Sequence, residues 1–391
     1  MIRLLSIQPV AERGGSDHLL VRLVRSLPPD EFDHHVVLPA TSPLADEFTA
    51  AGATLHTVPM RRISTSYGPP EWTAYAGGWP VAVARITRLI RRLGIDVVHT
   101  NSLHSLYGWA AAPLTRRPHV WHAREIVVQS RAALRLERFL AHHFAAKVIC
   151  MSQAIADQLD PANVEVVYET VDPAEFRPDL AGRFRAGVGV PDDAPLVGAV
   201  GRIDTWKGFD VLLDAYERAK ARRPDLHLVV AGAPVTGKEQ LATDLATRAA
   251  QLVDVHWLGP RADTADLFAD LDVFALPSTE PEPYGIVVVE ALASGTPVVV
   301  SDAGGVREIV ARAAPGSGTR VPPGDAAALA DALVEITPRS TSASGRFARR
   351  SLQPAPATGR FAEIFREVAA GAHGRDRGGG SLDRTDRGSG P

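Results

Sequence analysis

Residues 272–301 read DVFALPSTEPEPYGIVVVEALASGTPVVVS. An apolar run at 273–276 leads into a Pro- and Glu-rich loop, then a short helical stretch at 290–293, then a second apolar run at 297–300. Parallel strands need a crossover between them and are buried on both faces, so they read as unbroken apolar runs joined by helices. This stretch has that form. Working outward, the pattern repeats. Strand-like runs at 196–200, 226–231 and 255–258 alternate with helical patterns at 209–221, 239–251 and 262–271, and further helices follow at 306–311 and 326–336. Towards the N-terminus, strands are expected at 2–7, 35–38, 97–100, 119–121, 148–150 and 164–167, with helices at 17–26, 80–93 and 131–145. The fold class is therefore α/β, with two doubly wound, largely parallel sheets.

The Pro-, Gly- and Asp-rich stretch 173–195 reads as a linker between an N-terminal domain (1–172) and a second domain (196–337). Residues 338–358 are rich in Ser, Arg and Pro. One more amphipathic helix is expected at 359–370, and the Gly-rich 371–391 is expected to be disordered. The 391 residues include 45% hydrophobic and 22% charged residues, which excludes a wholly disordered chain. No run of 18 or more apolar residues is present, and the N-terminus lacks the features of a signal peptide. A net charge of −3 gives no polycation for nucleic acid. The single cysteine, Cys150, lies in an apolar run and is expected to be a buried, inert thiol in a cytoplasmic protein.

Two glutamates, Glu282 and Glu290, are separated by seven residues. The run after Tyr284 is apolar up to Glu290, so Glu290 is expected to open a helix. A carboxylate there either caps the helix or holds a ligand hydroxyl. Glu282 sits in a loop where backbone can approach a sugar closely. Paired carboxylates serve glycosidases as acid and nucleophile, but a loop-plus-helix placement suits hydroxyl binding better.

Three glycine-containing loops compete for a phosphate. Gly232–Glu239 (GAPVTGKE) nearly spells a P-loop, but Glu239 stands where a Mg²⁺-binding hydroxyl belongs. Gly201–Gly208 (GRIDTWKG) follows a strand and carries Arg202 and Lys207, two cations able to neutralise a diphosphate without a metal. The bland reading pairs those cations with Asp204 or Asp210. Gly304-Gly305 opens a helix after the strand at 297–300, and Gly14-Gly15 does the same after the first strand, each offering backbone N–H groups to an anion or forming only a tight turn.

These motifs, in order, resemble retaining glycosyltransferase family 4. The resemblance rests on E-x7-E with Pro-Tyr-Gly after the first Glu, and on the flanking DVFALPS and EALASGTPVV. It rests also on G-R-x-D-x-x-K-G, on SDAGGxxE, on DVVHTN (96–101), on HARE (122–125) and on the early Gly-Gly. It runs from about residue 1 to 336, and less closely to 370. It implies the GT-B fold, two Rossmann-like domains facing a cleft, with a nucleotide-sugar donor on the C-terminal domain and an acceptor on the N-terminal one. The last helix of such folds crosses back to the N-terminal domain. By position, Arg202 and Lys207 correspond to donor-diphosphate cations and Glu290 to a ribose-binding carboxylate. Glu282, with the backbone of Pro283, Tyr284 and Gly285, corresponds to a donor-sugar clamp. Gly14 and Gly15 would approach the phosphates, Gly304 and Gly305 would face the leaving diphosphate, and His122 would lie near the donor's reactive end. Two departures stand out: Glu169-Thr170-Val171-Asp172 replaces the common Asn-Gly-Val-Asp, and Tyr284 replaces Phe.

The implied activity is transfer of a sugar from a UDP- or GDP-sugar, GDP-mannose included, to an acceptor hydroxyl with retention. The acceptor would be a glycan, a lipid-linked or a small molecule in polysaccharide or glycoconjugate biosynthesis. The alternatives are a nucleotide-sugar epimerase of the same fold and a non-catalytic sugar-nucleotide-binding module. No cofactor or metal is expected: Asp270-Leu271-Asp272 spells a DxD but reads as capping and solvation, and the adjacent pairs His34-His35 and His142-His143 lack metal-ligand spacing. Between 61 and 146 the chain has twelve arginines and four carboxylates. Arg85, Arg88 and Arg92 share a helical face, as do Arg131, Arg135 and Arg138. They form either a solvated face or a weak, salt-sensitive contact with an anionic membrane, without a hydrophobic anchor, at the inner face of the cell membrane.

Overall fold

Short apolar runs without polar alternation become parallel strands in both halves of the chain. The computed structural model describes residues 1–11, 15–40, 42–63, 67–128, 130–159, 163–336 and 357–378. They fall into two units. The first comprises Met1–Cys150, Gln158–Val167 and Ala357–Pro391, and the second Met151–Asp157 and Tyr168–Pro356.

The strands of the first unit are β1 (Ile2–Ile7), β2 (Phe32–Leu38), β3 (Thr54–Thr57), β4 (Val97–Thr100), β5 (His119–Ala123), β6 (Lys147–Cys150) and β7 (Val164–Val166). They pair in the order β3-β2-β1-β4-β5-β6-β7, each pair parallel. Between them run α1 (Gly15–Ser26), α2 (Ala45–Ala50), α3 (Pro69–Leu93), α4 (Tyr107–Thr115), α5 (Arg131–Phe144) and α6 (Gln153–Leu159). Alternation along the strands divides the core. Leu4, Val36 and Val97 join one cluster with α1 and Phe48, while Leu5, Val37 and Val98 join another with α3 and α4.

The second unit takes in most of α6 and continues with α7 (Arg185–Val188), β8 (Leu196–Val200), α8 (Phe209–Arg222), β9 (His227–Ala231) and α9 (Glu239–Ala249). Next come β10 (Val255–Gly259), α10 (Thr264–Asp270), β11 (Val273–Leu276) and α11 (Ile286–Ala293). It closes with β12 (Val298–Ser301), α12 (Val306–Arg312), β13 (Gly318–Val321) and α13 (Ala326–Val334). The all-parallel order β10-β9-β8-β11-β12-β13 reverses direction between β8 and β11, as the first sheet does between β1 and β4. Both are doubly wound sheets of the kind the sequence predicts.

The C-terminal helix α14 (Ala357–Gly378) belongs to the first unit. Phe361, Ile364 and Phe365 are buried in the cluster that holds Leu4 and Val36. Arg366 pairs with Glu31 at 2.7 Å and Arg360 with Glu165. The helix runs eight residues past the expected end at 370, because once a helix is seated each further residue adds a hydrogen bond at little cost. The rest of the expected tail, 379–391, and the stretch 337–356 lie outside the described residues.

Three further expectations are corrected. Residues 173–195 are not a free linker. They pack within the second unit, where the Asp270 carboxylate accepts from the N–H groups of Gly182, Phe184 (2.7 Å) and Arg185 (3.0 Å). Asp272 is buried against the Arg185 guanidinium at 2.7 Å, so the Asp270/Asp272 pair is structural but not solvated. Helix α3 starts at Pro69 instead of 80, since Gly77-Gly78 and an unpatterned, exposed first half hide it. Strands β3 and β13 escape sequence reading because they are sheet edges without an apolar run. Among the described residues, no helix is long and apolar enough to cross a membrane. Cys150 is buried, and burial pushes its thiol up to about 12.

Beneath α14 the core carries histidines. Ser6 Oγ lies 2.7 Å from His34 Nε2 and 2.8 Å from His99 Nδ1, and His99 stacks edge-on against Phe365. Burial lowers His34 and His119 to about 3, and holds His99 and His122 well below their usual range. These groups stay neutral when folded but charge near pH 6.5 when unfolded. Their contribution is therefore fully present above about pH 6.5 and is lost as pH falls towards the folded values, with a slope of about 1.4 kcal/mol per pH unit for each ring. Thermal melts between pH 7 and 5 should show a steep fall in Tm, flattened in His99→Gln. A flat profile in the wild type would refute neutral burial.

Candidate active site

Ligands of open parallel sheets bind outside the strand carboxyl ends, where strand order reverses. In the second unit that point lies between β8 and β11. The loop after β8 delivers Arg202 and Lys207; the loop after β11 delivers Ser278 and Glu282. Lys207 Nζ donates to Glu282 Oε1 at 2.9 Å and Oε2 at 2.8 Å, and Ser278 Oγ donates to Oε2 at 2.9 Å. Both charged side chains are buried, at 9% and 7% exposure. Nζ also lies 4.2 Å from the Trp206 ring centroid. Asp204, the expected partner of the cations in the bland reading, is spent on the Thr205 N–H and Trp206 Nε1. Arg202 is exposed on the same loop and, among the described residues, has no ion pair.

Glycine lets these loops meet. Gly208 has φ +69°, and a Cβ there would lie 2.0 Å from the Pro277 carbonyl oxygen. Gly304 has φ +78°, and its Cβ would lie 2.2 Å from the Glu282 carbonyl oxygen. The Gly305 N–H donates to that same carbonyl at 2.7 Å. Gly305 therefore holds the Glu282 backbone and does not offer this N–H to an anion, a correction to the sequence reading. The neighbouring peptides are fixed as well: Ser152 Oγ donates to Pro283 O at 2.6 Å, and the buried Tyr284 hydroxyl donates to Glu169 O at 2.7 Å. Gly285, with φ +90°, immediately precedes α11. Because α11 starts at Ile286, Glu290 is half-buried in its second turn and does not open it. Burial of the β-branched run 286–289 overrides its low helix propensity. In the P-loop-like segment, Glu239 accepts from the Gly237 N–H at 3.1 Å.

In the first unit, Gly15 is the exposed first residue of α1, and Gly14 lies outside the described residues. His122 is fully buried, with its ring 5.2 Å from Phe361 of α14. Strand parity turns it into the core, which corrects the expectation of a histidine open to a donor. The residue two further on is better placed. Buried Arg124 donates from Nε to Asn101 Oδ1 at 2.7 Å, and Asn101 donates to Gln8 Oε1 at 2.8 Å. This network joins the carboxyl ends of β1, β4 and β5 at the first unit's own reversal point. Glu125 beside it accepts from Ser102 Oγ and from the Leu103 N–H at 2.9 Å. Asn101 and Arg124 lie within the DVVHTN and HARE motifs, and what marks them in the sequence is their position one step past strand ends.

Comparison with known proteins agrees with this architecture. The family description "Glycosyltransferase Family 4" matches residues 13–175, and "Glycosyl transferases group 1" matches 182–340. The chain is 30% identical over 332 residues to a D-inositol 3-phosphate glycosyltransferase of Stackebrandtia nassauensis, covering 77% of this chain and 70% of the relative. A Mycobacterium bovis protein of the same name is 39% identical over 153 residues, 38% of this chain and 31% of that one. Among solved structures, Anabaena HepE in complex with UDP-glucose matches with TM-score 0.74 at 24% identity, over 97% of this chain and 100% of that one. Sucrose-phosphate synthase of Thermosynechococcus elongatus matches with TM-score 0.68 at 22% identity, over 97% and 99%.

The buried pair makes a separable prediction. Lys207→Met leaves Glu282 buried and unpaired, a loss of roughly 3–5 kcal/mol. Adding Glu282→Leu should restore most of the stability but none of the activity. Urea unfolding together with turnover reads both. Equal stability of Lys207→Met and wild type would show that the pair is not held in solution.

Proposed function

The chain belongs to glycosyltransferase family 4 and has the GT-B fold, and we propose that it transfers a sugar from a nucleotide-diphospho-sugar to an acceptor hydroxyl with retention of anomeric configuration. The observation that carries this reading is the Lys207–Glu282 pair at the second sheet's reversal point, with Arg202 on the same loop. A lysine ammonium has three donors, and two point at Glu282, leaving the third for a phosphate oxygen. A carboxylate has about four acceptor sites. Lys207 and Ser278 occupy three on Glu282, leaving one for a sugar hydroxyl. One residue pair thus touches both sides of the bond to be broken. Glu290, one helix turn beyond the loop, is assigned the ribose hydroxyls.

As the sugar–phosphate bond lengthens, the sugar gains oxocarbenium character and the diphosphate gains charge. Arg202 and Lys207 stabilise that charge more in the transition state than in the ground state. The acceptor attacks on the face the diphosphate leaves, and a phosphate oxygen takes its proton. The reading includes metal independence, supported by the structural use of Asp270 and Asp272 in binding residues 182–185 and Leu196. The HepE complex supports UDP as the nucleotide to test first, and the name of the Stackebrandtia relative supports a phosphorylated polyol among the first acceptors.

A thermal-shift screen of UDP, GDP and their sugars should single out one base, with stabilisation of about 2.7 kcal/mol at a hundred times Kd. Arg202→Ala should lower turnover by about 10²-fold or more with Tm unchanged; wild-type turnover would remove the diphosphate role. Proton NMR of the first product should show the donor's anomeric configuration, and an inverted linkage would refute retention. Activity should survive EDTA. Loss on chelation with recovery on Mg²⁺ would refute metal independence.

A further inference from the structure

Helices α3, α4 and α5 lie side by side on the first unit, and their rings form a chain of contacts. Trp79 of α3 is 6.3 Å from Trp109 of α4, which is 5.6 Å from Phe144 of α5. The outward side of this row is apolar where a solvated helix would be polar. Val81 on α3 is 52% exposed, and Leu136 and Phe139 on α5 are 49% and 52% exposed. From Trp72 to Ala84, α3 has no charged residue, although most of these positions are exposed.

Apart from Glu71 at the start of α3, the exposed charge around this apolar strip is positive. Arg85 and Arg88 follow it on α3, and Arg131 and Arg135 flank Leu136 and Phe139 on α5. All four are exposed, with no ion pair among the described residues. Glu137, the single carboxylate of α5, is turned inward, buried 3.2 Å from His104 Nδ1. Glu71 is the remaining carboxylate on the three helices. Arg138, expected on the basic face, is instead partly buried and donates to Leu159 O at 3.2 Å.

We propose that this face docks on an anionic phospholipid bilayer. Val81, Leu136 and Phe139 enter the boundary between headgroups and acyl chains, and the four arginines meet lipid phosphates. Apolar and aromatic side chains ringed by unpaired cations match an interface whose outer layer is anionic and whose next layer is hydrocarbon. The sequence alone suggested a purely electrostatic contact; the exposed apolar residues supply the anchor it lacked. The inference does not depend on the donor assignment, since neither group of residues takes part in it.

The test is co-sedimentation of the full chain with phosphatidylglycerol/phosphatidylcholine vesicles and with pure phosphatidylcholine vesicles. The wild type should bind the anionic vesicles and keep a bound fraction at about 1 M salt, where screening acts over about 3 Å. Val81→Ser with Phe139→Ser should weaken low-salt binding about tenfold and abolish the high-salt fraction. Arg85→Glu with Arg88→Glu and Arg135→Glu should remove the preference for anionic lipid. Circular dichroism and Tm establish that each variant is folded. Brominated lipid should also quench wild-type tryptophan emission, independently of any variant. The proposal is overturned if the wild type ignores anionic vesicles, if no quenching occurs, or if both variants bind like the wild type. It is overturned too if the chain dimerises in solution and Phe139→Ser makes it monomeric, because the face would then be a contact between copies.

Discussion

Parallel pairing sends every strand's carboxyl end to the same edge of its sheet. In each unit the direction of winding reverses once, between β1 and β4 in the first sheet and between β8 and β11 in the second. At that point two loops leave in opposite directions and open a gap that no crossover helix covers. The chemistry-bearing residues of this chain collect there: Gln8, Asn101 and Arg124 in one unit, Arg202, Lys207, Ser278 and Glu282 in the other. Glycines at 208 and 304 exist because backbone must come within contact distance of backbone for the second gap to be lined.

Burying Lys207 and Glu282 together is an unfavourable arrangement for folding alone, since desolvating two charges offsets most of their attraction. The surroundings compensate locally. Ser278 supplies a third hydrogen bond to the carboxylate, and the Trp206 ring lies beneath the ammonium. The Glu282 backbone is held by Gly305 and by the Ala303 carbonyl at 3.2 Å. A site so constrained before any ligand arrives loses little freedom when one binds.

How legible these features were depends on what kind of signal each left. Strand cores were legible because a doubly buried strand has no choice but to be apolar, and the loop residues Arg202, Lys207 and Glu282 because charge between apolar runs is conspicuous. Orientation was not legible. His122 lies inside β5, where it packs under α14. Arg124 has the same parity but stands one residue past the strand end, where the chain leaves the sheet and its side chain joins the polar network. Glu290 was misplaced within its helix because burial, and not propensity, decides where α11 begins. The exposed first half of α3 left no periodicity to read, since a helix that packs on little needs no stripe. The buried face of α14 did, through Phe361, Ile364 and Phe365.

The serine between two buried rings carries a constraint of its own. Ser6 has one hydroxyl hydrogen, yet its oxygen is within bonding distance of His34 Nε2 and His99 Nδ1. If the hydroxyl donates to His99, His34 must carry its proton on Nε2, and His99 must carry its own on Nε2 as well. If it donates to His34, both rings are protonated on Nδ1. The two imidazoles are thereby locked to the same tautomer, and neither can switch without the other. Three protons must shift in concert, so the pair behaves as a single two-state unit of hydrogen-bond polarity beneath the C-terminal helix.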